Sequence, residues 1–106
     1  MKTKIFEGTL RNAIKQCVEE GYHWCNLKET YELIKKGKIE NKYYYTSTLY
    51  FRGEFKSATK EQIKNIEAEY EKGARAVMLG GIDSRSGAYG GRYLGDYDAR
   101  LVGVKK

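Results

Sequence analysis

The stretch "KYYYTSTLYFR", residues 42–52, decides the fold class because its pattern is typical of a β-strand. Aromatic and β-branched residues dominate it, and both kinds pack well on a pleated surface. Successive side chains of a strand point to opposite faces, so the stretch presents two separate sets of side chains. One face carries Tyr43, Tyr45, Ser47, Leu49 and Phe51, and the other carries Tyr44, Thr46, Thr48 and Tyr50. We expect one face to pack against helices and the other to contact a subunit or partner.

Three helices are predicted around this strand, in residues 9–21, 26–38 and 59–73. Apolar residues recur in each segment at helical spacing, and a glycine ends each one. Asn26 with Glu29, and Thr59 with Gln62, have the spacing of a capping box. The predicted inner faces are Leu10, Ala13, Ile14, Cys17 and Val18 in the first helix, Leu27, Tyr31 and Ile34 in the second, and Ile63, Ile66 and Tyr70 in the third.

Three further strands are predicted, at residues 3–6, 74–79 and 98–104. The element order is then β-α-α-β-α-β-β, which defines a single small α+β domain spanning residues 1–106. About three helices would pack on a small mixed or antiparallel sheet, with a long Gly/Tyr-rich loop between the last two strands. If those two strands pair, the loop is the connection of a hairpin. A structureless connection of about 17 residues is unusual in a compact domain, and such loops are usually functional or disordered.

The composition favours an anionic partner. Lys and Arg total 20 against 14 Asp and Glu, giving a formal net charge of +6, and such an excess attracts nucleotides and nucleic acids. The two cysteines are too few for a disulfide framework and match no metal or redox spacing. The longest uncharged run, residues 43–51, is too short for a membrane-spanning helix, and the start resembles no signal peptide. We therefore expect a cytoplasmic protein with free thiols, no cofactor and no membrane partner. Homo-oligomerisation stays open, since tyrosines crowded on one strand favour further burial.

The segment "GGIDSRSGAYGGRYLGDYD", residues 80–98, is the candidate binding segment. It contains six of the 12 glycines and every aspartate of the chain. It lacks the Lys-Ser/Thr of a P-loop and the spacing of a dinucleotide fingerprint. Bare glycine amides and serine hydroxyls can nevertheless cradle phosphate, arginine can neutralise it, and tyrosine can stack on a base. The predicted ligand-binding residues are Gly80, Gly81, Ser84, Arg85, Ser86, Tyr89, Arg92 and Tyr93.

The main hypothesis is thus a non-enzymatic module that binds a phosphate-bearing ligand, a nucleotide or a nucleic acid, through residues 80–93. A protein-interaction or inhibitor module of accessory or phage type is the alternative. Tyr89, Tyr93 and Tyr97 recur among Gly, Ser and Arg, the residues that paratopes and interface hot spots favour. A third, structural interpretation is that these tyrosines fold back onto the sheet and the glycines only permit turns.

A metal-assisted hydrolase is a weaker alternative. Asp83, Asp96 and Asp98 would offer oxygen ligands to a hard cation. No calcium-loop signature accompanies them, and aspartate is also an ordinary turn residue. The sequence therefore predicts neither a bound metal nor an enzyme.

Two further features have an ordinary structural interpretation beside a functional one. Cys25 and His23 would share a face of an extended segment, which leaves a Cys–His dyad open. Packing of Tyr22, Trp24 and Cys25 at a helix junction, with His23 partly exposed, is the favoured interpretation. The basic stretch at residues 35–42 is expected to decorate a helix end, or else to extend a nucleic-acid footprint.

Overall fold

The computed structural model describes residues 1–80, 88–89, 94 and 98–106, with the backbone alone for Ala88 and Tyr89. This part of the chain forms one α+β domain with a mixed sheet. Its strands are β1 (Lys2–Gly8), β2 (His23–Trp24), β3 (Tyr44–Phe51), β4 (Glu54–Ser57), β5 (Arg75–Leu79), β6 (Ala88–Tyr89) and β7 (Ala99–Lys105). Its helices are α1 (Leu10–Glu19), α2 (Leu27–Lys35), α3 (Lys60–Lys64) and α4 (Ile66–Glu71). Within these residues, no helix has the length and apolar character that crossing a membrane requires.

The predicted strand at residues 42–52 is the centre of the sheet. The main strand order is β1-β7-β3-β5-β6, with β2 paired to β7 and β4 paired to β3. The neighbours are antiparallel except β3 and β7, which are parallel at the pair Tyr45–Leu101. Because β3 lies between β5 and β7, these last two long strands do not pair, and the hairpin that their pairing would have made does not form. Local patterns identify strands, but neighbours are chosen by long-range packing.

Both faces of β3 are buried from Tyr44 to Leu49, so along this part of the strand helices occupy the face on which a subunit or partner contact was expected. On one face, Tyr45 and Leu49 pack in a core with apolar residues of α1, α3 and α4. On the other, Tyr44 packs with Leu33 and Ile34 of α2. Helices therefore cover the middle of the sheet from both sides.

Three consecutive hydroxyls allow this strand to be buried although it is polar. The Thr46 hydroxyl donates to the carbonyl of Val77 at 2.7 Å, and the Ser47 hydroxyl donates to the carbonyl of Trp24 at 2.9 Å. Thr48 Oγ1 accepts the backbone N–H of Leu27 at 2.9 Å. The first bond falls where the register between β3 and β5 shifts and the regular ladder is interrupted. The three side chains thus connect β3 to β5, to β2 and to the start of α2.

Several local details differ from the sequence predictions. The third helix is divided at Asn65, whose side-chain Nδ2 donates to the carbonyl of Glu61 at 3.0 Å and so competes with the helical pattern. Tyr31, predicted to face inward, is 40% exposed because Thr30, Leu33 and Ile34 form the buried face of α2. The strands β2, β4 and β6 have no counterpart among the predicted strands.

The predicted caps are confirmed. Thr9 caps α1 through its side chain, and Asn26–Glu29 and Thr59–Gln62 form complete capping boxes. Lys35 and Lys36 occupy the end of α2, as expected for the basic stretch, and Gly37 follows with φ 72°. Only a residue that tolerates left-handed backbone suits that position.

Replacing Thr46 with valine should lower the free energy of unfolding by about 1–3 kcal/mol, because a buried carbonyl then loses its donor. Valine keeps the shape of threonine, so the change isolates the hydroxyl. Urea unfolding of the variant beside Thr46→Ser, which retains the donor, measures the effect. A valine variant as stable as the wild type would contradict this role.

Replacing Gly103 with alanine should also destabilise the fold, by about 1–3 kcal/mol, through overpacking. A Cβ at this position would lie 2.9 Å from atoms of Phe6 and Tyr22 and 3.0 Å from Sγ of Cys17. Denaturant unfolding tests the prediction. In the double variant Gly103→Ala and Cys17→Ala, the contact with Sγ of Cys17 is absent, and part of the lost free energy of unfolding should be recovered.

Candidate functional site

The Gly/Tyr-rich segment, residues 80–98, leaves the sheet and returns to it at the same end of the sheet. We call these two attachment points its roots. The register pairs Tyr44 with Leu79 and Tyr45 with Leu101. The start of β3, the end of β5 and the start of β7 therefore lie side by side. Gly80 leaves the sheet and Asp98 returns to it at this end, which we call the root end.

An open groove of about 500 Å³ adjoins the root end. α2 packs over β3 and β5, and the strand residues that line the groove come mainly from β1 beyond them. The chain that follows α2 forms its second wall. The lining residues are Thr3, Ile5, Glu7, Gly37, Lys38, Ile39, Glu40, Lys42, Tyr44 and Arg100.

Arg100 is the central cation of the groove. It lies opposite Glu7 across the β1–β7 pair, and its Nε donates to the Glu7 carboxylate at 3.2 Å. Its guanidinium lies 5.5 Å from the ring centre of Tyr43 and 5.9 Å from that of Tyr44. Its side chain is only 22% exposed. Tyrosine faces attract a cation, so the two rings and the carboxylate orient the guanidinium.

Two lysines form the rim of the groove. Lys42 Nζ lies 2.9 Å from Glu40 Oε2, and the hydrogen bond from Lys42 lowers the pKa of that carboxyl below its usual value. Both side chains are largely exposed, so the pair is weak and readily exchanged for another anion. Lys38 is also exposed, and it has no carboxylate partner among the described residues.

Tyr44 forms the floor of the groove and its hydroxyl is fixed. The hydroxyl donates to the carbonyl of Glu40 at 2.7 Å. Burial raises its pKa, an effect that the nearby Arg100 partly opposes. Tyr44 therefore remains a neutral phenol at ordinary pH, and the partly exposed ring of Tyr43 lies next to it beside the Arg100 guanidinium.

The predicted ligand-binding residues lie mostly outside the described residues. This holds for Gly81, Ser84, Arg85, Ser86, Arg92 and Tyr93. Gly80 is described and half-buried, directly after β5. Tyr89 belongs to β6, where its backbone pairs with Met78.

The segment is not structureless throughout, which corrects the sequence expectation. Ala88–Tyr89 adds a strand beside β5. Leu94 is buried in the core, and its carbonyl accepts the backbone N–H of Arg11 in the first turn of α1 at 2.8 Å. The segment is therefore attached to the domain between its two roots as well as at them.

The Cys–His dyad does not form, and the packing interpretation of this region is confirmed. Trp24 and Cys25 are buried, whereas His23 is exposed and its Nε2 lies 2.9 Å from Glu29 Oε1. The Trp24 indole N–H donates to the carbonyl of Tyr45 at 3.1 Å. Burial raises the pKa of Cys17 and of Cys25 to about 12. Both groups are therefore protonated thiols at neutral pH, not nucleophilic thiolates.

The folded protein should react slowly with a thiol reagent at about pH 8, and both thiols should react once it is unfolded.

Their pKa is raised from 9.0 to about 12 on folding. The unfolded chain loses these protons above about pH 9 while the folded chain keeps them. This stabilisation is complete below about pH 9 and is lost as the pH rises towards 12.

Urea unfolding at increasing pH, compared between the wild type and the double variant Cys17→Ala and Cys25→Ala, measures this contribution. The variant should lose less stability between about pH 9 and 12, because tyrosine and lysine titration is common to both chains. Equal slopes would contradict the assignment.

The described residues contain no metal centre. No group of three or more His, Cys, Asp or Glu side chains converges among them. Asp98 is exposed beside β7, and Asp83 and Asp96 lie outside the described part of the chain.

Comparison with known proteins adds no relative. No family model matches the chain, and no match was found among curated proteins or solved structures.

Sequence reasoning missed part of the groove. The basic stretch at residues 35–42 was recognised, but Arg100 and Glu7 were not singled out. Their partnership depends on the pairing of β1 with β7, which joins residues from opposite ends of the sequence. The alternation of Arg100, Val102 and Val104 on one face of the last strand was the available signal.

Proposed function

We propose that this protein is a non-enzymatic binding module for a phosphate-bearing ligand, a nucleotide or a nucleic acid. Residues 80–93 form the principal contact, and the groove at the root end extends it. One observation carries the proposal: the roots of the Gly/Ser/Arg/Tyr segment and the groove of Lys38, Lys42 and Arg100 adjoin at one end of the sheet. The net charge of +6 supports the same partner.

The chemistry of the groove suits an anion attached to an aromatic group. Exposed Lys38 attracts phosphate, and Lys42 can exchange the Glu40 carboxylate for a phosphate oxygen at little cost. Arg100 is held in place by Glu7 and the tyrosine rings, and its remaining guanidinium N–H groups can donate to a phosphate oxygen. The exposed ring of Tyr43 offers a surface on which a base can stack.

The segment supplies the remaining contacts of the proposal. Gly80, Gly81, Ser84 and Ser86 cradle phosphate, Arg85 and Arg92 neutralise it, and Tyr89 or Tyr93 stacks on a base. A cytoplasmic location belongs to the same proposal. The free, buried Cys17 and Cys25 support it, because thiols persist in a reducing compartment.

The decisive experiment measures binding of labelled single-stranded oligonucleotides and nucleotides by fluorescence anisotropy. Raising the salt from about 50 to about 200 mM should weaken oligonucleotide binding about tenfold, because phosphate contacts release counterions. The double variant Arg85→Glu and Arg92→Glu should abolish binding. Lys42→Glu should weaken it by a smaller factor, since this lysine lies on the rim.

A matched control keeps the same change of net charge away from the site. Lys28→Glu and Lys60→Glu lie in the first turns of α2 and α3, where a carboxylate suits the helix dipole. This variant should retain most of the affinity. If both double variants lost the same affinity, binding would depend on the net charge of the protein and not on residues 80–93. Binding that survives the arginine reversals would refute the phosphate site, and greater sensitivity to Tyr89→Ala and Tyr93→Ala than to salt would favour a protein partner.

A further inference from the structure

The hairpin of β3 and β4 presents an exposed aromatic pair at the sheet end opposite the groove. Tyr50 and Phe55 are cross-strand partners with ring centres 4.9 Å apart. They are 39% and 55% exposed. The exposed Phe packed against the exposed Tyr forms a small apolar patch beside the outer edge of β4.

The outer edge of β4 has backbone groups free for another strand. Among the described residues β4 pairs with β3 alone, and all four of its residues are exposed. The turn contains only Arg52 and Gly53, with φ values of 50° and 82°, which is the left-handed pair of a two-residue hairpin. In such a hairpin Phe51 and Glu54 are a hydrogen-bonded pair, and the next pair, Tyr50 and Phe55, is not.

The N–H and C=O of Phe55 therefore point away from β3, and those of Ser57 do the same. The N–H of Ala58 donates to the carbonyl of Ser47 at 2.8 Å. The pair Ser47–Ala58 is therefore hydrogen-bonded, as expected when the preceding pair, Thr48 and Ser57, is not. Each free pair of groups can exchange two hydrogen bonds with an antiparallel strand.

The sequence of β4 is complementary to itself in one antiparallel register. With Phe55 opposite Phe55 of a second copy, Glu54 lies opposite Lys56 of that copy, and Lys56 opposite its Glu54. Within one chain these two side chains share a face and lie 3.6 Å apart, and both are mostly exposed. The same register places the two Tyr50–Phe55 pairs in one aromatic row on the other face.

We propose that β4 is a self-association site at which two copies of this chain pair antiparallel through their β4 edges, centred on Phe55. The charges of β4 favour a second copy of the same chain as the partner. Opposite charges pair twice across the two-fold axis, whereas a one-sided charge would repel a second copy. Backbone bonds from Phe55 and the aromatic row hold the centre of the interface.

Sedimentation velocity of the full chain over a concentration series tests the proposal. The wild type should form a dimer, and Glu54→Lys or Lys56→Glu should each weaken it at least tenfold by placing like charges opposite each other. The double variant Glu54→Lys with Lys56→Glu should dimerise as the wild type does. An equimolar mixture of the two single variants should also restore association, because each chain then meets opposite charges on the other.

The mixture separates the interface from any effect within one chain, since the repulsion inside each single variant persists in it. Phe55→Pro provides a second, independent variant: it removes an outward N–H without touching a bond to β3, and it should be monomeric with an unchanged circular dichroism spectrum. A wild type that remains monomeric at about 1 mM, the weak end of specific association, would overturn the proposal. A dimer unaffected by the single reversals, or a mixture that stays dissociated, would overturn it equally.

Discussion

The fold depends on a polar strand that is buried on both faces. A strand rich in hydroxyls is costly to bury unless each hydroxyl finds a partner. In β3 the side chains of Thr46, Ser47 and Thr48 hydrogen-bond to β5, to β2 and to the first turn of α2. No buried side-chain nitrogen or oxygen in the described part of the chain lacks a partner. The central strand consequently fixes where its neighbours lie, and the two helical layers follow.

That arrangement also explains why the groove lies where it does. One helix, α2, must cover a face that β3, β5 and β7 share, and it reaches only part of it. The uncovered part carries Arg100, which would be unfavourable in a closed core and is stable beside Glu7 and two tyrosine rings. In the proposed dimer the β4 edges meet at the opposite end of the sheet. Because antiparallel pairing continues each face of one sheet into the same face of the other, the two grooves would lie on one face of the joined sheet.

The sequence predicted what local chemistry controls. Thr9, the Asn26–Glu29 pair and the Thr59–Gln62 pair start their helices as expected, and alternation located β3. The sequence could not predict the order of the strands in the sheet, because the partners of β7 are distant from it in sequence. His23–Trp24 is too short for a periodic pattern, and the turn at Arg52–Gly53 lacks the usual Asn-Gly. The strand wall of the groove contains a cross-strand pair, Arg100 and Glu7, that can be recognised only once the register of β1 and β7 is known.

The position of β7 has a consequence for the order of folding. This strand is the only described partner of β1 and of β2, and it also meets β3. The pair Lys2–Lys105 joins opposite ends of the 106-residue sequence. During synthesis β1 therefore waits with unpaired backbone groups until β7 has emerged, and non-local pairing of this kind is slow. We therefore expect closure of β7 onto β1 late in folding, and a chain interrupted before Ala99 would lose the strand that holds one side of the sheet together.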